Sequence, residues 1–210
     1  MPRVPALPAS DLPEAFTDTL QRVHDAYGFV PNSMLTMGRN PALLSAFSAL
    51  GAAVMGDASS IPSDLRWLVA HLASRAAGCR YCIAHTGHNS AGVAGVDDAK
   101  VAEAWQFETS DRFDEAERAA LRLAVAGASV PNEATDAHFA ELHRHFSDRQ
   151  IVDIVAVIGF FGFLNRWNDT LASELEAEPL AFGANHLAAT GWDPGQHAPA
   201  PGSRPDGAGT

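Results

Sequence analysis

The chain has 210 residues, 47% hydrophobic and 19% charged, with 14 Lys and Arg against 25 Asp and Glu for a formal net charge of −11. That length supports one globular domain whose core needs no disulfide staples, and the acidic balance argues against nucleic acid or anionic lipid as a partner. The longest unbroken apolar run, Ile154 to Leu164, falls short of the roughly 20 residues of a membrane span, and Met1 to Ser10 lacks the apolar centre of an export signal, so a cytoplasmic protein is expected.

Along the chain, the ends differ from the middle. Residues 1–13 are rich in proline and small side chains, and 193–210 is dominated by Pro, Gly and Ala. Such stretches bury too little apolar surface to order themselves, so an N-terminal arm and a flexible tail are expected around a single domain over 14–192. Within it the apolar spacing is of helical period and no alternating run is flanked by hairpin dipeptides, which predicts an all-α, compact multi-helix fold.

A first helix is expected over about 12–27, closed by Gly28-Phe29-Val30-Pro31-Asn32, where proline disfavours helix at Val30. Pro41 suits the first position of a helix reaching Met55. Ser63 and Asp64 open the next, with Leu65, Leu68, Val69 and Leu72 on its apolar side and Gly78 as its stop. A short helix carrying Tyr81, Cys82 and His85 follows, then helices over about 97–105, 114–127, 134–145 and 148–164. The last is apolar nearly all round (Ile151, Val152, Ile154, Val155, Val157, Ile158), which suits burial or the interface of a homo-oligomer. The segments from Ser63 and Ser147 share a Ser-Asp opening, a glycine (Gly78, Gly162) and a threonine (Thr86, Thr170) at one constant offset, through either a worn internal duplication or chance.

Chemistry concentrates in Gly78-Cys79-Arg80-Tyr81-Cys82-Ile83-Ala84-His85-Thr86-Gly87-His88, which holds both cysteines of the chain. Two thiols three positions apart close too small a loop to be a useful staple, and reversible oxidation is the better use. A helix N-terminus, the Arg80 cation or an imidazole would each favour a thiolate, and His85 shares a helical face with Cys82. The competing readings are two small buried hydrophobes, or a zinc site from Cys79, Cys82, His85 and His88. No metal is expected, because four ligands in one short stretch cannot easily wrap an ion. Asp153, alone in an apolar helix, is expected to pair with Arg166 or to serve as an acid of raised pKa. Asn165, Arg166 and Asp169 are candidates to close a pocket.

These residues resemble the carboxymuconolactone decarboxylase and alkylhydroperoxidase D-like superfamily, within it the peroxidase-related branch, over about residues 14–175. The resemblance rests on Gly28-Phe29-Val30-Pro31-Asn32, Asn40-Pro41-Ala42-Leu43-Leu44, the Leu65-Arg66 helix running into the cysteine segment, and Asn165-Arg166-Trp167-Asn168-Asp169. It implies an all-helical, usually oligomeric protein whose dithiol reduces peroxides or exchanges with a partner disulfide. It also implies attack by Cys82 and resolution by Cys79. In the family's peroxidase branch a glutamate one long helix upstream of the first cysteine, and a histidine four positions after the second, relay protons. The matching positions here are Trp67 and Thr86, so His85 is expected as the base, with His71 and His88 as candidate relay members.

The expected function is therefore a thiol-dependent oxidoreductase that reduces hydroperoxides or partner disulfides through Cys79 and Cys82. Two alternatives stand beside it: a decarboxylase-like enzyme acting on a small organic substrate, and a non-enzymatic redox-sensing helical oligomer. No G-x-G-x-x-G follows a strand, so no bound cofactor is expected and the electrons should come from a small thiol or a donor protein.

Overall fold

The computed structural model describes residues 1–199. Among them there are no strands, and the α-helices are α1 (Thr17–Tyr27), α2 (Asn32–Met37), α3 (Pro41–Met55), α4 (Ser63–Ala77), α5 (Arg80–Gly92), α6 (Asp98–Ala102), α7 (Glu115–Ala128), α8 (Asp136–Leu142), α9 (Asp148–Leu171) and α10 (Ala177–Phe182). Their ends follow local chemistry. Asn40 caps α3 by accepting from the Leu43 amide, with Pro41 in the first turn. Asp114 with Glu117, and Ser147 with Gln150, form reciprocal capping boxes that open α7 and α9. Gly78 closes α4 at φ 75°, a left-handed turn that makes Cys79 the N-cap of α5.

Helix α4 is the axis of the bundle. Every residue from Leu65 to Ser74 is buried, and the helix packs against α5, α7 and α9. Leu68 and Leu72 meet Leu121, Leu123, Ile154 and Val157 in one core, where truncating a leucine to alanine costs about 2–5 kcal/mol. A smaller cluster of Leu12, Leu20, Met34, Met37 and Leu44 fastens the N-terminal helices to this body.

Several expectations need correction. Helices α2 and α10 are too short to carry a readable period, and were not foreseen. Helix α9 continues past Leu164 to Leu171, because Asn165 and Asn168 in the polar stretch face inward rather than forming a loop. By length and composition α9 would suit a membrane span, yet one face (Ile151, Ile154, Val157, Ile158) packs into the core. The other face leaves Val152, Val155 and Phe163 exposed at 65%, 45% and 39%. Both Ser-Asp pairs open a helix, but Gly78 ends the first whereas Gly162 lies inside the second, so the suggested repeat shares its start and not its stop.

Asp153 does not meet Arg166, which donates to the Gly162 carbonyl of its own helix. It accepts instead from the amide and hydroxyl of Ser60, both at 2.6 Å. Burial works to raise its pKa, but these bonds outweigh that and hold it below the usual carboxylate value.

The chain ends are also less free than composition suggests. Arg3 donates from its guanidinium to the Asp169 and Thr170 carbonyls, and Leu12 is buried. Asp193 pairs with Arg80, Trp192 Nε1 donates to the Arg80 carbonyl at 3.0 Å, and the Leu175 amide donates to the His197 carbonyl at 3.0 Å. Hydrogen bonds, which a hydrophobicity count does not register, tie 193–197 to the body; the rest of the expected tail beyond 199 lies outside the described residues.

Candidate active site

The dithiol sits where the left-handed turn at Gly78 hands the chain from α4 to α5. Cys79, as N-cap, accepts on its Sγ from the Cys82 amide at 3.4 Å, so both thiols lie in the first turn of one helix, with Cys82 at its third residue. Side chains here lean toward the helix N-terminus, whose partial positive charge favours a thiolate. Asn168 of α9 donates its Nδ2 to Cys82 Sγ at 3.4 Å.

The two cysteines differ in access. Cys82 lines a cavity of about 680 Å³, together with His85, Tyr81, Asn168 and the apolar walls of Tyr27, Met34, Trp67, Phe160 and Phe161. No carboxylate lines it among the described residues. Cys79 is fully buried and does not border the cavity. Burial first, then its contacts with Cys82 and the nearby Asp169 charge, push the Cys79 thiol well above its ordinary pKa.

His85 is where its spacing put it, on the cavity side of α5, and it has a partner that spacing could not reveal. Its Nε2 lies 2.6 Å from Glu176 Oε2, both groups being buried. Glu176 Oε1 in turn accepts from the Tyr81 hydroxyl at 2.9 Å and from the Asn32 amide at 2.5 Å. The Pro31-Asn32 turn therefore aims a backbone donor into the site. The Tyr81 ring stacks on His85 at 4.2 Å between centroids, and Phe29 meets the imidazole edge-on at 5.3 Å. With a carboxylate accepting at Nε2, that nitrogen carries hydrogen, and Nδ1 is the atom that takes or gives a proton.

Glu176 is the functional candidate that the sequence did not disclose. It alternates with Glu174 and Glu178, and nothing in that pattern says which of the three is buried. Its position depends on α10, which approaches α5 closely at Gly87: a side chain there would meet the Phe182 ring at 2.8 Å.

The candidate relay residues do not join the thiols. His71 lies inside the core with Nδ1 3.0 Å from Thr86 Oγ1, whose own hydrogen goes to the Cys82 carbonyl at 2.6 Å. Burial, helped by the Arg75 charge, lowers its pKa to about 3, so it stays neutral. His88 packs between Phe29 and Phe182, and burial lowers its pKa as well. With His85 held by Glu176 and His88 among aromatic rings, the four residues of the zinc alternative do not converge on one point. Trp67, at the position of the relay glutamate, is a cavity wall set edge-on to Tyr27 and Phe161. None of the expected pocket-closing group lines the cavity: Asn165 is buried, Asp169 turns toward His197 and Arg166 toward solvent, and it is the unforeseen Asn168 that borders it.

The carboxymuconolactone decarboxylase family model matches residues 41–126. The solved debrominase Bmp8 is 41% identical, with 85% of this chain and 95% of that one covered at a TM-score of 0.79. A cysteine-to-alanine variant of that debrominase, solved in complex with 2,3,4-tribromopyrrole, matches at the same identity and TM-score, covering 85% of this chain and 94% of that one. An uncharacterised peroxidase-related protein from Ralstonia eutropha JMP134, with an alkylhydroperoxidase AhpD core, is 26% identical over 85% of this chain and 94% of its own, at a TM-score of 0.75. The uncharacterised Escherichia coli protein YnjA is 26% identical over 171 residues, 81% of this chain and 91% of that protein.

Proposed function

The chain belongs to the carboxymuconolactone decarboxylase and alkylhydroperoxidase D-like superfamily, and on that premise we propose that it is a thiol-dependent reductase of small apolar organic molecules, spending two electrons from Cys79 and Cys82. The observation that carries this reading is the division between the thiols: Cys82 opens on an aromatic-walled cavity and Cys79 lies behind it, out of reach of a substrate. Cys82 attacks, and Cys79 resolves.

We place a halogenated aromatic compound first among acceptors, because the 41% identical debrominase has been solved with a brominated pyrrole in a cysteine variant, and because a planar apolar ring suits the Trp67, Phe160 and Phe161 walls. The Cys82 thiolate takes the halogen, breaking the carbon–halogen bond, and the ring carbon accepts a proton held at His85. Cys79 then attacks the Cys82 sulfur; the S–S bond forms, halide leaves with the electron pair of the S–halogen bond, and the thiol proton is lost. The dithiol is oxidised by two electrons and C–X becomes C–H. Hydroperoxide is the second acceptor, favoured by the peroxidase-related relatives. There the same residues split O–O, give an alcohol and a Cys82 sulfenic acid, and release water on resolution. Glu176 fills the part of the family glutamate by holding His85 from a different point in the chain.

Renewed reduction requires an external thiol or donor protein, which suits a reducing compartment such as the cytoplasm. The test is anaerobic single turnover of pre-reduced protein with a bromopyrrole and, separately, with cumene hydroperoxide. One bromide or one alcohol released and two thiols lost per chain is the expected result. Thiols that survive both acceptors, and that also give no two-step exchange with an aromatic disulfide, would overturn the reading in favour of a decarboxylase-like enzyme or a non-catalytic helical protein.

A further inference from the structure

Behind the dithiol, on the side away from the cavity, lies a second set of ionisable groups that the foregoing chemistry leaves unused. Cys79 Sγ, a carboxylate oxygen of Asp169 and a ring nitrogen of His197 lie within 4.8 Å of one another. His197 is 1% exposed, and both its nitrogens face acceptors: Nδ1 is 2.7 Å from the Ser173 carbonyl and Nε2 is 3.0 Å from Asp169 Oδ1. A carbonyl cannot donate, so Nδ1 carries hydrogen, and the Nε2 contact also requires a proton between ring and carboxylate. The pair thus shares one proton between ring and carboxylate, which ties the two groups together.

We propose that Asp169 is the base for the resolving thiol and that His197 is the positioning residue that holds its carboxylate in place. As Cys79 attacks the Cys82 sulfur, its S–H proton passes to the Asp169 carboxylate, its electron pair forms the S–S bond, and the group on Cys82 leaves with the electrons of the bond that breaks. Asp169, 37% exposed, returns the proton to solvent. Resolution needs such help, because burial keeps Cys79 a thiol at neutral pH. The arrangement is held from several sides. The Gln196 amide and the Arg3 guanidinium donate to the Asp169 carbonyl, at 3.1 and 3.0 Å. The other titratable groups around it are Cys82, whose amide donates to Cys79 Sγ, and Tyr81, whose ring lies 5.8 Å from that of His197 and whose hydroxyl donates to Glu176; Arg80, next to Cys79 in the chain, pairs outward with Asp193.

This inference rests on the dithiol reading, and 5,5′-dithiobis(2-nitrobenzoate) separates the two because it needs no physiological acceptor. Reaction at Cys82 releases one thionitrobenzoate and leaves a mixed disulfide; attack by Cys79 releases the second. Full-length wild-type protein, with EDTA present throughout, is compared with Asp169→Asn and His197→Gln. The first release should be unchanged in both variants. The second should slow by about 10²-fold at pH 7, the low end of what a positioned base supplies, and recover toward wild type only well above the free-thiol pKa of about 8.5, because burial raises that of Cys79. Asp169→Glu, which keeps the carboxylate, should restore most of the rate, and carries the comparison if Asp169→Asn does not fold. An unchanged second release, or one slowed by the same factor at every pH, would overturn the proposal and make the pair a structural anchor. Failure with bromopyrrole and peroxide alongside a two-step release here would instead fault the acceptor assignment alone.

Discussion

His85 Nε2 and Glu176 Oε2 meet at 2.6 Å across 91 residues of chain. Removing the carboxylate strips partners from the Tyr81 hydroxyl, the Asn32 amide and the imidazole together. Glu176→Ala should therefore destabilise the fold by about 3–5 kcal/mol, the usual cost of breaking a buried charged network from one side. Glu176→Gln keeps an acceptor for Tyr81 and Asn32 but reverses the bond to His85. It should fold and yet slow the first reductive step by about 10²-fold. Urea unfolding and single-turnover kinetics on the two variants check both halves.

The roles of the two thiols separate by trapping. Cys79→Ser should react once with hydroperoxide and accumulate a dimedone-trappable sulfenic acid at Cys82, whereas Cys82→Ser should not react quickly. His85→Ala should slow the first step near neutral pH and much less above about pH 8.5, where a free thiol ionises unaided. Sulfenic acid trapped on Cys79 in the Cys82→Ser protein would reverse the assignment.

His71 makes a prediction about acid stability. Its pKa is about 3 in the fold and 6.5 unperturbed, so below pH 6.5 the unfolded chain binds a proton that the native state refuses. Stability from this group is complete above pH 6.5 and declines as pH falls toward 3, by up to about 1.4 kcal/mol per pH unit. His71→Gln should flatten that slope between pH 6.5 and 4.5 in urea titrations while leaving thiol reactivity near wild type. A loss of reactivity as large as that of His85→Ala would return His71 to the proton relay.

The exposed Val152, Val155 and Phe163 on α9 form an apolar face that we expect to be covered by a second copy of the chain. Light scattering at micromolar concentration should give a multiple of the 22.2 kDa chain mass, and Val152→Lys with Val155→Glu should reduce it to the monomer. A monomeric wild type would sink the expectation.

What the sequence determined by itself was local. Helical period, the Pro41 start, the Gly78 stop and the Ser147 cap depend on neighbours within a turn or two, so the all-α architecture and the placing of Cys79, Cys82 and His85 on one short helix were legible without coordinates. Burial and pairing between distant segments were not. Asp153 found Ser60 rather than Arg166, His71 lost its charge to the core, Glu176 could not be told from Glu174 or Glu178, and His197 was hidden in a stretch whose composition resembles a tail. Each was decided by which helices pack together: α10 reaches α5 where Gly87 leaves room, and the chain after Trp192 is drawn back by Arg80 and Leu175. A carboxylate or imidazole takes its role from the partners and dielectric around it, and those are set by the tertiary structure rather than by the adjacent residues.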